Sequence, residues 1–264
     1  MKSIILCCNY NEGRTGNLIR SLNTLKKNKL DNTIIGIIDN GSKDNSAQII
    51  NEFVKNGTID CFIHNKKNLG KPKALNLLFK YILNVYELTR DDICIHIDSD
   101  IKIYDNFIKD CENCFNSFND CYLYFSRGSS NEHEIIYDHT HAIDDSEYID
   151  VNDNYLKVHR GPGITGGLWG MKVSSFIDVN LYRENRGKNG KSAIYGGDDG
   201  FLIYDLFCKN ANKFAYVHKT KYHFHPGNTD EEYQKWKVQQ SLLTGKINQT
   251  AEDNVLLAEK GFYD

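Results

Sequence analysis

Ile93-Cys94-Ile95-His96-Ile97-Asp98-Ser99-Asp100 is the stretch on which the reading of this chain turns. Its apolar, β-branched beginning reads as a buried strand, and the two carboxylates that close it stand where such a strand leaves the core. Earlier runs have the same form: Ser3 to Cys8, Thr33 to Asp39 and Ile59 to His64, each followed by a helical stretch. That alternation predicts an α/β chain with a parallel sheet flanked by helices. In such sheets ligands bind beyond the carboxyl ends of the strands. The residues to weigh are therefore Asn9-Tyr10-Asn11-Glu12, Asp39-Asn40-Gly41-Ser42, Asn65 to Lys71 and Asp98-Ser99-Asp100.

At 264 residues the chain is long enough to bury a core of its own as one domain. A net charge of -3 gives no general attraction to a polyanion. The start, Met1-Lys2-Ser3 before five apolar residues and Asn9, is too short for a signal-peptide core, and no segment approaches the ~18 apolar residues of a membrane span. A cytoplasmic protein with no integral membrane segment is expected. The eight cysteines are then read as reduced core thiols. Cys111 and Cys114 fall one turn apart on a helix predicted over Tyr104 to Phe118, and lack the second pair that a structural zinc site uses. From Arg127 to Asn154 the periodicity fails, and eight acidic residues lie between Glu132 and Asp153 without a Lys or Arg. This stretch reads as a variable loop.

Asp98 and Asp100 at a strand end would repel one another unless a cation joined them, and a hard divalent ion with oxygen ligands would also neutralise a diphosphate. Asp39, last in its strand, can accept a hydrogen bond from a base or ribose, while Asn40 to Ser46 reads as a turn leading to a helix cap. Asn68-Leu69-Gly70-Lys71-Pro72 opens a helix whose free amides and lysines favour an anion. Tyr195-Gly196-Gly197-Asp198-Asp199 opens another, where the glycines permit close approach of a ligand and a carboxylate can deprotonate an acceptor hydroxyl. His223 and His225 share one face of a strand and add imidazole nitrogen suited to Mn²⁺.

In this order, from Ser3 to about Pro226, the segments resemble the family 2 glycosyltransferases and their GT-A relatives. Tyr10-Asn11-Glu12 lies at the centre of the first strand and helix, Asp39-Asn40-Gly41-Ser42 is similar to the D-D/N-G-S motif, Asn68 to Asn76 to the N-x-G-K-x-x-A-L-N helix start, and Asp98-Ser99-Asp100 to the D-x-D motif. Gly166-Gly167-Leu168-Trp169-Gly170 and Gly196-Gly197-Asp198-Asp199 are similar to the acceptor side of galactosyltransferase and chondroitin-type enzymes. The resemblance implies a single-domain GT-A fold, a Rossmann-like mixed sheet flanked by helices, over residues 1–228. Its nucleotide-binding half is 1–100 and its acceptor half 101–228, with a variable loop at 128–156 and a helical tail at 229–264. It implies an inverting, metal-dependent hexosyltransferase using Mn²⁺ or Mg²⁺ and a nucleotide diphosphate sugar, UDP favoured.

By that resemblance Asp199 is the general base and Asp198 contacts acceptor or donor sugar. Asp100 holds the metal, Asp98 contacts ribose or metal, and His223 matches the metal histidine more closely than His225. Asn9, Tyr10, Asn11, Glu12, Asp39, Asn68, Gly70, Lys71, Asp98 and Ser99 line the donor, with Gly166, Gly167 and Trp169 on the acceptor side. Cys8 stands where the family has proline, Asn40 for a commoner Asp, and Asp198 for Glu. The acceptor is a glycan or another hydroxyl, with a protein side chain or a modified DNA base as alternatives. The basic run Lys157, Arg160, Lys172, Arg183, Arg186, Lys188 and Lys191 keeps nucleic acid open as an acceptor. A sugar nucleotidyltransferase would need a denser glycine-rich basic loop than Asn9 to Gly16. A non-catalytic nucleotide-sugar or glycan-binding module would have no use for its mutually repelling carboxylates.

Overall fold

The computed structural model describes residues 1–129, 148–151, 154–159, 167–184, 198–209, 214–226, 231 and 235. The first half is the expected alternation: β1 (Ser3–Asn9), α1 (Asn17–Asn28), β2 (Thr33–Asp39), α2 (Ser46–Lys55), β3 (Cys61–His64), α3 (Lys71–Val85) and β4 (Ile93–Asp98). Then come α4 (Phe107–Ser117), β5 (Cys121–Ser129), β6 (Tyr148–Val151), β7 (Asn154–His159), β8 (Leu168–Lys172), α5 (Val173–Asp178), α6 (Asp198–Lys209) and β9 (Phe214–Phe224).

Among the described residues one sheet has the order β3-β2-β1-β4-β8-β5-β9-β7-β6. β1 to β4 are mutually parallel, and because the chain leaves β1 first toward β2 and then returns on its other side to β4, the sheet has a switch point between β1 and β4. β8 runs antiparallel to both β4 and β5, and β9 lies parallel to β5. The sheet is therefore mixed. Two apolar layers cover its faces, one built with Leu18, Leu22, Ile50 and Phe107 from α1, α2 and α4, the other with Leu75, Leu78, Phe79, Phe176 and Leu206 from α3, α5 and α6. Each such side chain withdrawn from water contributes about 1.5–3 kcal/mol.

Three expectations change. The stretch 128–156 carries the end of β5, all of β6 and the start of β7, and β6 pairs with β7, which pairs with β9. Its acidic residues hid a hairpin whose support comes from a strand about 60 residues later in the chain. The helix read over Tyr104 to Phe118 starts at Phe107, after Asn106 with φ 69°. Six of the eight cysteines are buried, Cys111 and Cys114 among them, but Cys8 is half-buried and Cys208 is exposed. Residues 130–147, Gly166 and the tail beyond 226, apart from Glu231 and Lys235, lie outside the described residues. Among the described residues no helix is long and apolar enough to cross a membrane.

Candidate active site

Strand direction gathers the site. The parallel strands end side by side, with Asn9 opposite Asp39 and Asp39 opposite His64. β8 enters from this same edge, so Gly167 precedes it beside Asp98, whose N–H donates to the Gly167 carbonyl at 2.7 Å. β9 leaves at the same edge. Lys102 and Phe224 exchange backbone hydrogen bonds of 2.9 and 2.8 Å, which bring His225 to Asp100.

On the β1–β3 side, Asp39 is fully buried. Its carboxylate accepts from Asn9 Nδ2 at 2.9 Å, from Ser42 Oγ, and from His64 Nδ1 at 2.9 Å. His64 is half exposed, so it presents this network to the outside. Asn11 Oδ1 accepts from the Lys43 N–H at 2.7 Å, and buried Glu12 accepts from Thr15 Oγ1 at 3.1 Å. These side chains shape the loop itself. Asn40 does the same for the entry to α3, donating to Asn68 Oδ1 at 2.9 Å and accepting from Asn65 Nδ2 and the Leu69 N–H. Gly41, at φ +83°, is required there, since a Cβ would lie 2.5 Å from the Lys67 carbonyl carbon.

At the centre, Lys71 Nζ lies 2.6 Å from Asp98 Oδ1 and 3.9 Å from Asp199 Oδ2. His96 Nε2 is 3.0 Å from the same Asp98 oxygen. Burial pushes the Asp98 carboxyl up, but the Lys71 ammonium and the His96 hydrogen bond outweigh it and hold the group well below the usual carboxylate range. Asp199, near the start of α6, accepts a long 3.4 Å hydrogen bond from Trp169 Nε1. Lys71 thus spans a carboxylate of the sheet and one of a helix 101 positions further along the chain.

Asp100 Oδ2 is 3.1 Å from His225 Nε2. His225 is therefore the histidine that faces the D-x-D segment, while His223 lies buried in β9 opposite Gly128. The strand ends at Phe224, and the turn of the backbone after it decides which imidazole reaches Asp100. Among the described residues no three His, Cys, Asp or Glu stand close enough to hold a cation by themselves. Carboxylate plus imidazole is a ligand pair that suits Mn²⁺.

The remaining candidates are partly placed. Ser99 is buried, Tyr10 half-buried, and Gly70 precedes α3 at φ 83°. Asp198 begins α6, and Tyr195, Gly196 and Gly197 lie outside the described residues. In the basic run, Lys172 pairs with Asp91 at 3.8 Å and Arg183 Nε with Asp205 at 2.9 Å, so both serve contacts within the chain. Arg160, Arg186, Lys188 and Lys191 lie outside the described residues. Two residues of the site escaped the sequence reading: His96, hidden in an apolar run, and His64, read as the last residue of a strand. The available signal for His96 was its position two before Asp98, on the same strand face.

The profile of glycosyl transferase family 2 matches residues 3–179. An uncharacterised protein of Methanocaldococcus jannaschii is 36% identical over 94 residues, which is 35% of this chain and 38% of that protein. GalNAc-T7 crystallised with UDP, GalNAc and Mn²⁺ superposes with TM-score 0.62 at 16% identity, covering 92% of this chain and 48% of that one. The TarS 1–349 fragment of S. aureus with UDP-GlcNAc gives 0.61 at 15%, covering 98% and 71%. The Pyrobaculum calidifontis mannosyltransferase PcManGT with GDP-Man and Mn²⁺ gives 0.61 at 11%, covering 98% and 68%. At these identities the likeness is one of fold. The chain spans about half of GalNAc-T7.

Proposed function

The chain belongs to glycosyl transferase family 2, and on that premise we propose that it moves a hexose from a nucleotide diphosphate donor, UDP favoured, to an acceptor hydroxyl with inversion. The observation that carries this reading is the position of Lys71 Nζ, 2.6 Å from Asp98 and 3.9 Å from Asp199, at the switch point of the sheet. A cation there balances two carboxylates while the donor is away and is available to the diphosphate when it binds. UDP is favoured because GalNAc-T7 and TarS carry uridine nucleotides, although PcManGT carries GDP-Man.

Asp199 takes the proton of the acceptor hydroxyl as that oxygen bonds to the anomeric carbon. The bond from that carbon to the diphosphate breaks, and its electron pair leaves on the diphosphate oxygen. Asp100 and His225 would hold a divalent cation, Mn²⁺ or Mg²⁺, which supplies neutralisation of charge on that leaving group. By the G-G-D-D resemblance Asp198 contacts acceptor or donor sugar, and Gly166, Gly167 and Trp169 are assigned to the acceptor. Residues 1–100 form the donor half, 101–228 the acceptor half and 229–264 a tail. A glycan is the favoured acceptor.

The test is thermal shift and donor hydrolysis with a panel of nucleotide sugars, with and without Mn²⁺, on wild type and Asp100→Ala. Metal-dependent stabilisation and slow hydrolysis in wild type alone support the proposal. Absence of binding to every nucleotide sugar overturns the donor site and leaves a binding-module role.

A further inference from the structure

We propose that His96 is a positioning residue that sets the donor-side and acceptor-side carboxylates with the two halves of one side chain, an inference that rests on the function proposed above. Its edge donates Nε2–H to Asp98 Oδ1 at 3.0 Å. Its face stacks on Trp169, with ring centroids 5.1 Å apart and planes 25° from parallel. Trp169 Nε1 in turn donates to Asp199 Oδ1. Lys71, lying between Asp98 and Asp199, closes the circuit.

Packing alone does not explain a histidine here. His96 is fully buried in the middle of β4, among Cys94, Ile95 and Ile97, where an aliphatic residue fills the layer without a polar cost. Its Nδ1 is buried with no hydrogen-bond partner, a penalty that Leu or Ile at the same place avoids. What the histidine adds over an aliphatic residue is Nε2 and the π-face. A carboxylate can only accept, so Nε2 carries the proton and its direction is settled. When the diphosphate draws Lys71 away, His96 still fixes Asp98 Oδ1, and Oδ2 keeps its aim. Tyr182, whose ring stands edge-on to the imidazole at 6.1 Å, confines the ring from another side.

The two halves separate by substitution. His96→Phe keeps a ring against Trp169 and removes the donor, whereas His96→Gln keeps an N–H near the Nε2 position and removes the ring. Each is measured for UDP affinity by calorimetry with Mn²⁺, and for turnover at saturating donor in hydrolysis of whichever of UDP-glucose, UDP-galactose and their N-acetyl forms wild type cleaves fastest. Loss of a hydrogen bond to a charged group predicts about tenfold weaker UDP binding in His96→Phe, with turnover within about threefold of wild type. Misplacement of the base predicts about tenfold slower turnover in His96→Gln, with UDP binding within about threefold. Trp169→Phe, which keeps a ring but removes the N–H to Asp199, is expected to follow His96→Gln and serves the acceptor arm should that variant not fold. Equal losses of both quantities in His96→Phe and His96→Gln, or no change in either while melting curves show folded protein, overturn the inference alone. Wild type that binds no nucleotide overturns the proposed donor site, and this inference with it.

Discussion

Replacing Gly167 by alanine tests whether Asp98 is held by the backbone that faces it. A Cβ on Gly167 would lie 2.6 Å from Asp98 Cγ and 2.7 Å from Ile101 Cδ1, and would overlap Asp98 Oδ2 outright. Ordinary carbon contacts lie near 3.5 Å, so the carboxylate must retreat by about 1 Å. It cannot do so freely, because its own N–H is bound to the Gly167 carbonyl at 2.7 Å and its Oδ1 to Lys71 and His96. Overpacking of this kind costs about 1–3 kcal/mol. In a chain of this size that lowers the melting temperature by about 2–10 °C. Because Asp98 serves the donor, its displacement by about 1 Å is expected to weaken donor binding and so to cut hydrolysis at sub-saturating donor by about a hundredfold, with turnover at saturating donor much less affected.

Gly170→Ala is the control. Its Cβ would lie 2.5 Å from Cys111 Sγ and 3.4 Å from Ile95 Cγ1, a clash of similar severity in the layer beneath α4. Urea unfolding should show similar destabilisation in the two variants, while hydrolysis at sub-saturating donor, below both melting temperatures, should collapse only in Gly167→Ala. Equal activity in the two variants would refute the argument that Gly167 positions Asp98.

Asn76 donates to the Tyr182 carbonyl at 2.8 Å and accepts from its N–H at 3.1 Å while buried, so Asn76→Leu should lower stability by about 2–4 kcal/mol in chemical denaturation. Because the Asp98 carboxyl is held below its ordinary value of about 4, its contribution to stability is complete above that pH and falls away as pH drops toward the folded-state value. Lys71→Met removes the main opposing charge, so the gap in melting temperature between wild type and this variant should narrow below about pH 4; a constant gap from pH 7 to 3 contradicts the assignment. His225→Ala should weaken Mn²⁺-dependent stabilisation by UDP about tenfold or more and His223→Ala much less, read by titrating the metal in thermal shift.

Much of the first four strands and of their polar ends was legible in the sequence, because the signals there are local. A run such as Ile93 to Ile97 needs burial on both faces, and Asp98 after it must then emerge at an edge; the same logic placed Asn9 and Asp39. Gly70-Lys71-Pro72 announced a helix start through proline tolerance and free amides, and α3 begins at Lys71. Asp39 ends its strand as the pattern implied, and its burial under Asn9 and His64 rests on neighbouring strands. Asn9 and His64 end the two neighbouring strands, so their meeting with Asp39 is a matter of register, whereas Ser42 lies three residues on in the same loop.

Period, capping and burial act over a few residues, and they were enough to fix the alternation of strand and helix and the carboxylates at the strand ends. The tertiary structure alone decided that β8 runs antiparallel and carries Gly167 and Trp169 to Asp98, that the stretch 128–156 contains a hairpin resting on β9, that His225 rather than His223 meets Asp100, and that His96 joins Asp98 to Trp169. Each depends on the direction and register of strands 50 to 130 residues apart, and the free energy that selects them is spread over the whole core, not written in any one segment.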